Sequence, residues 1–510
     1  MFAFDYVSAL CSAVEGLTGS VVHEEPRALH YGGIDLRFAT ERDLYFSAIN
    51  DPAMQQQFAS SRASLGGSPL QRDGHVEARA GDFVCRYFDD GRHMSLRYQP
   101  RRTTRARRLL GRGANHIFWP YRAGRFERDL ASSAPNLEHA RLFIMVHHER
   151  FVRYLRPIAE VLGSAGVVWL STGAELSRQL RSTDVSHVPV DRWNHLHYGR
   201  SVHHFSSAPS PGFSYLMALC DALQHLFALR RPSCLLLVEG NAARDEAANQ
   251  VAKQLGVPTI CVQQGWSPFV HNGFRNMSYG KMLIWGDGFA DALRPYNPLQ
   301  DFVVTGSHML DGAVRESRPA WLREKAAGRR CITFFLQSPM GIIGQRGWRQ
   351  SLELLVAAAE RCPEARFFAR EHPIHPLRGE ELELVTRHPN VCLAPVDRCS
   401  LAELLAVTHA SVSIYSTTIL ESIALAVPPL IYNCTSMPRF NPDVDALGAG
   451  LEVHDSALAL RQIERLIEDE DFCKSFEPGM DRFRDRFFGK IDGQSCDRIV
   501  ETIRCVMDDA

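Results

Sequence analysis

The chain has 510 residues, a length that exceeds one ordinary hydrophobic core and predicts roughly two or three domains. Hydrophobic residues make up 45% and charged residues 23%, as in globular proteins, and the formal net charge of −1 excludes a chain-wide preference for nucleic acid or membranes. The 13 cysteines are scattered without a Cys-x-x-Cys pair. They predict reduced thiols in a cytosolic protein rather than a disulfide framework or a zinc site.

The first 135 residues lack a regular alternation of strands and helices and are predicted to form an accessory region of mixed structure. Residues 1–17 carry no basic leader and only a short apolar stretch, so no secretory signal is expected. The chain also has no uncharged apolar run of about 18 residues, which argues against a transmembrane helix. A cytoplasmic location is therefore predicted.

Arg101–Arg108 is the only dense run of charge in the sequence. Such a run usually forms a solvated face of the protein. Because it is followed by Leu109-Leu110, it also fits peripheral contact with the anionic inner face of a membrane. Nucleic-acid binding is disfavoured, since the run has no interleaved aromatic residues for stacking on bases.

From residue 136 onward, short apolar runs alternate with helix-length segments, which is typical of an α/β protein. The strand-like runs within residues 136–306 are Leu142–Val146, Val167–Leu170, Cys234–Val238, Thr259–Val262, Met282–Trp285 and Phe302–Val304. Those within residues 331–488 are Cys331–Leu336, Arg366–Ala369, Val391–Leu393, Ser411–Tyr415, Pro429–Tyr432 and Leu451–Val453. The sequence therefore predicts two Rossmann-like, doubly wound domains, a polar linker at residues 307–330 and a C-terminal helix within residues 489–510.

Two turns of the second predicted domain carry polar side chains directly after apolar runs. In Arg370-Glu371-His372-Pro373, the proline keeps His372 out of the helical region, so that an imidazole projects from the carboxyl end of a strand. Ser416-Thr417-Thr418 opens a helical segment, where hydroxyls and free backbone N–H groups attract phosphate. Because open α/β sheets bind ligands beyond the carboxyl ends of their strands, the two turns predict half of a nucleotide-sugar site.

These turns, together with the segment from Gly256 to Gly265, resemble the bacterial surface-polysaccharide transferases. That group includes capsule Kdo transferases, bacterial sialyl- and polysialyltransferases and CDP-glycerol glycerophosphotransferases. The run from Ile284 to Ser307 is similar to the stretch that closes the first domain in them. The resemblance covers about residues 140 to 490 and is one of motif order and spacing. It implies the GT-B architecture, in which two Rossmann-like domains face a cleft, and transfer of a sugar from a nucleotide-sugar donor.

The resemblance also implies roles on the donor side. His372, aided by Arg370 and kept extended by Pro373, would neutralise charge on the leaving phosphate. Ser416, Thr417 and Thr418 would bind the oxygens of that phosphate.

Two carboxylates are candidates for holding the ribose of the donor. Glu403 matches the place used by the sialyltransferase-like members, and Glu421 matches the place used by many UDP-sugar enzymes. Both can accept hydrogen bonds from hydroxyls. CMP- and UDP-type donors therefore both stay open, with CMP favoured.

The acceptor side departs from the family pattern. Many relatives carry Gln-His-Gly where this chain has Gln263-Gln264-Gly265. Either Gln264 positions the substrate, or His271 takes the place of the missing histidine.

Inverting transfer also needs a general base that takes the proton of the acceptor hydroxyl. Glu239 follows a buried strand and precedes a glycine that leaves room for substrate, and it resembles the acidic turn of bacterial sialyltransferases. Glu149, in His147-His148-Glu149-Arg150 after the first Rossmann strand, is the rival candidate.

These features predict a metal-independent, inverting glycosyltransferase of bacterial surface-polysaccharide synthesis, with a nucleotide-sugar as co-substrate and no cofactor. Its acceptor would be a glycan or a lipid-linked glycan. No carboxylate or cysteine spacing completes a metal site around the paired histidines at 147/148, 195/197 and 203/204. Two alternatives remain: a UDP-sugar 2-epimerase of the same architecture, and a non-catalytic binding protein of the glycan pathway.

Overall fold

The computed structural model describes residues 6–51, 54, 75–80, 82–88, 94–99, 137–163, 166–182, 185–190, 209–267, 269–313, 319–339, 343–373, 375–435 and 439–510. The basic run Arg101–Arg108 lies outside these residues, as do the histidines at 195, 197, 203 and 204. Within the described ranges, no helix is both long enough and apolar enough to cross a membrane.

The described part of residues 6–99 combines two helices with small antiparallel sheets. Its elements are α1 (Tyr6–Glu24), β1 (His30–Tyr31), β2 (Ile34–Asp35), α2 (Arg37–Ile49), β3 (His75–Ala80), β4 (Phe83–Phe88) and β5 (Met94–Tyr98). β1 pairs with β2, and β4 lies between β3 and β5. The buried side chains Leu10 and Leu44 share one hydrophobic core with Leu235 and Leu237 of the first large sheet. This region is therefore packed onto the first large sheet.

The first large sheet is parallel. Its described strands are β6 (Leu142–Val146), β7 (Val167–Ser171), β8 (His187–Pro189), β9 (Cys234–Val238), β10 (Thr259–Val262), β11 (Lys281–Ile284) and β12 (Phe302–Val304). They are ordered β12-β11-β10-β9-β6-β7-β8. Every residue of β6 and of β9 is buried, as expected for strands of a parallel sheet that is covered on both faces.

Helices follow most of these strands. They are α3 (Glu149–Leu162), α4 (Ala174–Arg181), α5 (Phe213–Leu229), α6 (Ala243–Gln254) and α7 (Asp287–Leu293). On α3, Phe151, Leu155 and Ile158 are buried, and their spacing places them on one face of the helix. The His148 side chain caps this helix by accepting a hydrogen bond from the Arg150 N–H.

The second large sheet is also parallel. Its strands are β13 (Cys331–Phe335), β14 (Arg366–Arg370), β15 (Val391–Leu393), β16 (Ala410–Ser413), β17 (Pro429–Tyr432) and β18 (Leu451–Val453), ordered β15-β14-β13-β16-β17-β18. The remaining helices are α8 (His308–Ala313), α9 (Ala320–Ala326), α10 (Gly344–Arg361), α11 (Gly379–Thr386), α12 (Leu401–Leu405), α13 (Thr418–Ala424), α14 (Ser456–Glu468), α15 (Glu470–Lys474), α16 (Glu477–Phe487) and α17 (Ser495–Asp508).

The two predicted Rossmann-like domains are thus confirmed as two parallel α/β sheets. The structure adds β8, a three-residue strand without an apolar run, which the sequence pattern missed. The segment predicted as a linker contains the short helices α8 and α9. The last helix, α17, returns to the first sheet, where Ile499, Val500 and Ile503 pack into the same core as β6 and β9.

Candidate functional site

Each large sheet has a point at which the order of its strands reverses. In the first sheet this point lies between β6 and β9, and in the second it lies between β13 and β16. Ligand crevices of open α/β sheets form at such points, beyond the carboxyl ends of the strands. The segments that follow these four strands are His147–Arg150, Glu239–Asn241, Leu336–Ser338 and Ile414–Thr418.

Glu239 occupies a strained turn at the end of β9. Its φ of 63° lies in the left-handed region, and Gly240 follows with a φ of 69°. A carboxylate oxygen of Glu239 lies 3.2 Å from an Arg150 guanidinium nitrogen. Burial raises the pKa of Glu239 above its ordinary value, and the positive charge of Arg150 partly offsets this rise. A strained, half-buried carboxylate at a strand end is typical of a functional position.

Gly265 is the place where the two large sheets approach each other. A Cβ atom on Gly265 would lie 3.3 Å from Thr417 Oγ1 of the second sheet and 3.7 Å from Glu239 Oε1 of the first. The backbone N–H of Trp266 is 3.4 Å from Thr417 Oγ1, and its indole N–H donates to the Asn441 carbonyl at 2.5 Å. The structure therefore brings together Glu239 and the Ser416–Thr418 turn, which are predicted to serve opposite ends of the reaction.

His372 follows β14 and forms an isolated antiparallel bridge with His375. Burial lowers the pKa of the His372 imidazole, and the positive charges of Arg150 and His375 lower it further. Pro373 is exposed beside it. Arg150, whose guanidinium pairs with Glu239, is also near enough to His372 for its positive charge to act on the imidazole.

The Ser416–Thr418 turn is only partly satisfied by its own hydrogen bonds. Ser416 Oγ accepts a hydrogen bond from the Thr418 N–H at 3.3 Å. Thr418 Oγ1 is buried, and no hydrogen-bond partner for it is found in the described part of the chain; the same holds for Ser413 Oγ and Ser338 Oγ. These three hydroxyls belong to segments at the point where the second sheet reverses its strand order, so a ligand bound there could satisfy them.

Two predicted donor-side residues are engaged in local structure. The Arg370 guanidinium donates to the carbonyls of Ala394 and Pro395, at 3.0 and 2.8 Å. Glu403 completes a capping box at the start of α12, where its carboxylate accepts from the Ser400 N–H at 2.7 Å. Arg370 therefore holds the loop after β15, and Glu403 has one oxygen committed to its own helix.

Glu421 is the second candidate for holding the ribose. It lies in the first turn of α13, and burial raises its pKa to about 7. Burial also raises the pKa of Tyr154, and the negative charges of Glu421 and Glu239 contribute to that rise. Glu239 follows a strand of the first sheet and Glu421 lies in a helix that follows a strand of the second, yet the charges of both act on Tyr154.

The two acceptor-side candidates, Gln264 and His271, lie in different surroundings. Gln264 is half-buried beside Gly265, at the junction described above. His271 is 5% exposed and its ring stacks on Tyr45, with ring centres 4.8 Å apart. Its Nδ1 accepts a hydrogen bond from the Gly273 N–H, and burial lowers its pKa to about 3. His271 is thus engaged in packing and capping, and its suggested place on the acceptor side stays a prediction.

Glu149 is exposed at the start of α3. Its side chain is 51% accessible and lies 3.8 Å from Arg153 on the next turn of the helix. Within the described residues, no group of three or more His, Cys, Asp or Glu side chains is arranged to hold a metal ion.

Sequence reasoning missed Arg150 and the segment of Gln337 and Ser338. The sequence pattern gives Arg150 no role beyond its place next to Glu149. In the structure Arg150 pairs with Glu239, and the Gln337 side-chain oxygen accepts a hydrogen bond from the Tyr415 N–H at 2.6 Å. Both follow the first strand of their sheet, so the rule that ligands bind where strand order reverses could have identified them.

Comparison with solved structures extends the description of the fold. Staphylococcus aureus MnaA, solved with UDP, matches with a TM-score of 0.52 and 12% identity, over 72% of this chain and 97% of its own. The chain has a GT-B-like fold. The Neisseria meningitidis UDP-GlcNAc 2-epimerase, solved with UDP-GlcNAc, gives a TM-score of 0.51 and 14% identity, over 71% of this chain and 99% of its own. No protein-family model matches the sequence, and no curated protein matches it at a significant level.

Proposed function

We propose that this GT-B-like protein is an inverting, metal-independent glycosyltransferase that uses a nucleotide-sugar donor and no separate cofactor. The proposed donor is a CMP-linked sugar of the Kdo or sialic-acid type. The proposed acceptor is a glycan or lipid-linked glycan of a bacterial surface polysaccharide. The approach of Glu239 and Thr417 to the same place carries the proposal, because Glu239 Oε1 and Thr417 Oγ1 lie 3.7 and 3.3 Å from one Cβ position on Gly265. A base and a phosphate-binding turn are thus close enough to act on one substrate.

In the proposed reaction, Glu239 takes the proton of the acceptor hydroxyl while the oxygen of that hydroxyl attacks the anomeric carbon of the donor sugar. The new bond joins that oxygen to the carbon, and the bond from the carbon to the donor phosphate breaks. The electron pair leaves with the phosphate. Hydroxyls of the Ser416–Thr418 turn and the His372 N–H donate hydrogen bonds to the charge that develops there.

An assay of donor consumption with and without acceptor tests this proposal. Release of CMP from a CMP-linked sugar should need a glycan acceptor and should proceed in the presence of a metal chelator. Conversion of a UDP-sugar to its 2-epimer without acceptor would establish the epimerase alternative. A folded protein that binds neither CMP nor UDP would instead be a non-catalytic component of the pathway.

A UDP-linked donor is the second candidate, because the charge of Glu421 acts on Tyr154, as that of Glu239 does, whereas Glu403 is tied to its capping box. Titration calorimetry with CMP and UDP on Glu403→Gln and Glu421→Gln distinguishes the two. The proposed CMP donor requires tighter binding of CMP, weakened by Glu403→Gln. Tighter binding of UDP, weakened by Glu421→Gln, would establish a UDP donor.

The phosphate turn yields a prediction about affinity. Changing Ser416 to Ala together with Thr418 to Val should weaken nucleotide binding by about 1.5–3 kcal/mol, because hydroxyl donors to a charged phosphate are lost while side-chain volume is nearly kept. Thr386→Val is a suitable control, since its exposed hydroxyl donates to the Leu382 carbonyl of its own helix. Nucleotide affinity equal to that of the control, measured by calorimetry, would mean that the turn serves only to start α13.

Arg150 yields a prediction about pH. Its positive charge lowers the pKa of Glu239 and that of His372, so Arg150→Met should raise both. Since Glu239 must be ionised to act as the base, the acid limb of the kcat/KM profile should move to higher pH by about one unit. Any limb set by His372 should move in the same direction.

Arg153→Met is the matched control for this change, because Arg153 lies on the same helix and pairs with Glu149. Its pH profile should coincide with that of the wild type. An Arg150→Met profile with an unmoved acid limb would show that Glu239 is not the group that titrates.

A further inference from the structure

Arg42 is a fully buried charge of the N-terminal region. It lies on α2, and its side chain is 0% exposed. A buried guanidinium is unfavourable unless charged and polar partners surround it, so its position needs a reason within the fold. Its partners belong to the first large sheet and the helices around it.

The guanidinium of Arg42 contacts the turn that follows β9. One nitrogen, Nη1, donates to the Gly240 carbonyl at 2.9 Å and to the Tyr279 hydroxyl at 3.1 Å. The other, Nη2, lies 3.1 Å from a carboxylate oxygen of Glu246, whose side chain is also 0% exposed. The Tyr279 hydroxyl in turn donates to the same Gly240 carbonyl at 2.7 Å. One carbonyl oxygen therefore receives two hydrogen bonds, one of them charge-assisted.

The turn held in this way is the strained one that carries Glu239. Both Glu239 and Gly240 have left-handed φ angles, a conformation that a glutamate adopts only when its surroundings enforce it. A Cβ on Gly240 would lie 2.6 Å from Cys261 Sγ and 3.0 Å from the Tyr279 ring, so the turn has no space in which to shift toward them. The Gly240 carbonyl is thus fixed by packing on one side and by two donors on the other.

We propose that Arg42 is a positioning residue for Glu239, and that α2 thereby contributes to the active site without touching substrate. This inference rests on the proposed role of Glu239 as the base. By holding the Gly240 carbonyl, Arg42 fixes the peptide that joins Gly240 to Asn241, the second peptide after Glu239. It thereby restrains the turn that directs the Glu239 carboxylate. Small displacements of a catalytic group reduce the rate strongly, so the effect should fall on kcat.

The test removes Arg42 together with its counter-charge. In Arg42→Met with Glu246→Gln, no unpaired carboxylate from this pair is left buried, which preserves folding better than Arg42→Met alone. We expect kcat to fall at least about tenfold, with KM for the donor and nucleotide affinity unchanged. Amide hydrogen exchange of the peptide around Gly240 should become faster, and Arg42→Lys should restore part of kcat.

A second ion pair provides a matched control. Arg275 and Glu15 also join the N-terminal region to the first domain, at 3.0 Å, without contacting Gly240. Arg275→Met with Glu15→Gln should keep the wild-type kcat and the wild-type exchange around Gly240. A fall in kcat equal to that of the Arg42 variant would mean that docking of the N-terminal region in general matters, and would overturn the proposal.

Tyr279→Phe keeps the test decisive if the Arg42 double variant does not fold. It removes the second donor to the Gly240 carbonyl and an acceptor of the Arg42 guanidinium, while Arg42 can still donate to that carbonyl, so kcat should fall severalfold at unchanged KM. Wild-type kcat in a folded Tyr279→Phe or Arg42 double variant would overturn the proposal. If instead Glu239→Gln proves active, the proposed role of Glu239 as the base fails, and exchange around Gly240 in the Arg42 variant then decides separately whether Arg42 holds the turn.

Discussion

Replacing Glu239 by Gln is expected to lower sugar transfer on the order of 10³-fold while nucleotide affinity stays nearly intact. Only an ionised carboxylate can take the acceptor proton, and an amide of the same shape cannot. The same change at Glu149 should be mild, because that side chain is 51% exposed and lies beside Arg153. Transfer assays and titration calorimetry on both variants make the comparison.

Unfolding is not expected to explain the loss in Glu239→Gln. Burial raises the pKa of this carboxyl, so the charged form is unfavourable there and a neutral amide removes that cost. An inactive Glu149→Gln beside an active Glu239→Gln would move the base to the segment after β6. Activity in both variants would remove the acceptor-side support for a glycosyltransferase.

The strands that the sequence predicted share a physical signature. Cys234–Val238 and Cys331–Phe335 are uninterrupted apolar runs because both faces of a parallel strand are buried, and such runs are visible without any tertiary information. β8 has no such signature, since His187–Pro189 is short and lies at the edge of the sheet. Its pairing with β7 depends on the rest of the sheet being in place.

Candidate site residues were predictable where they stand next to a strand in the sequence. Glu239 and Ser416–Thr418 follow apolar strands directly, so the sequence predicts their place at the carboxyl edge of a sheet. Their approach beside Gly265 was not predictable, because it depends on how the two sheets face each other. Arg42 is more remote still, since its bond to the Gly240 carbonyl spans 198 residues of sequence.

The sequence also could not show which polar side chains are already engaged in hydrogen bonds or in core packing. Arg370 sits at the predicted strand end, yet its hydrogen bonds are made to the carbonyls of Ala394 and Pro395. His271 follows the predicted glycine-ended segment, yet its ring is buried against Tyr45 of α2. In both cases a residue type suited to catalysis is used to satisfy backbone groups or to fill the core, and only tertiary contacts reveal the difference.

His372→Ala is expected to lower kcat by about 10²-fold or more, since one preorganised donor at a developing phosphate charge contributes about 3 kcal/mol. Burial, and next the positive charge of Arg150, lower the pKa of this imidazole, which favours its neutral form in the free protein. It can therefore donate an N–H before reaction, and the negative charge of the departing phosphate then favours its protonation. Such help is strongest in the transition state, so kcat and kcat/KM should fall together.

His375→Ala is the matched control for His372→Ala, because the two residues share the bridge after β14 but His375 packs its ring edge-on against Trp348 at 5.0 Å. It should change kcat less than about tenfold, since loss of packing at a half-buried turn does not remove a donor to the phosphate. His372→Gln separates hydrogen bonding from proton transfer: retention of part of the rate means that a neutral N–H suffices, whereas a rate equal to that of Ala means that the proton itself is passed to the phosphate. A folded His372→Ala protein with the kcat of the wild type would exclude His372 from the reaction and leave the Ser416–Thr418 turn to stabilise the leaving phosphate alone.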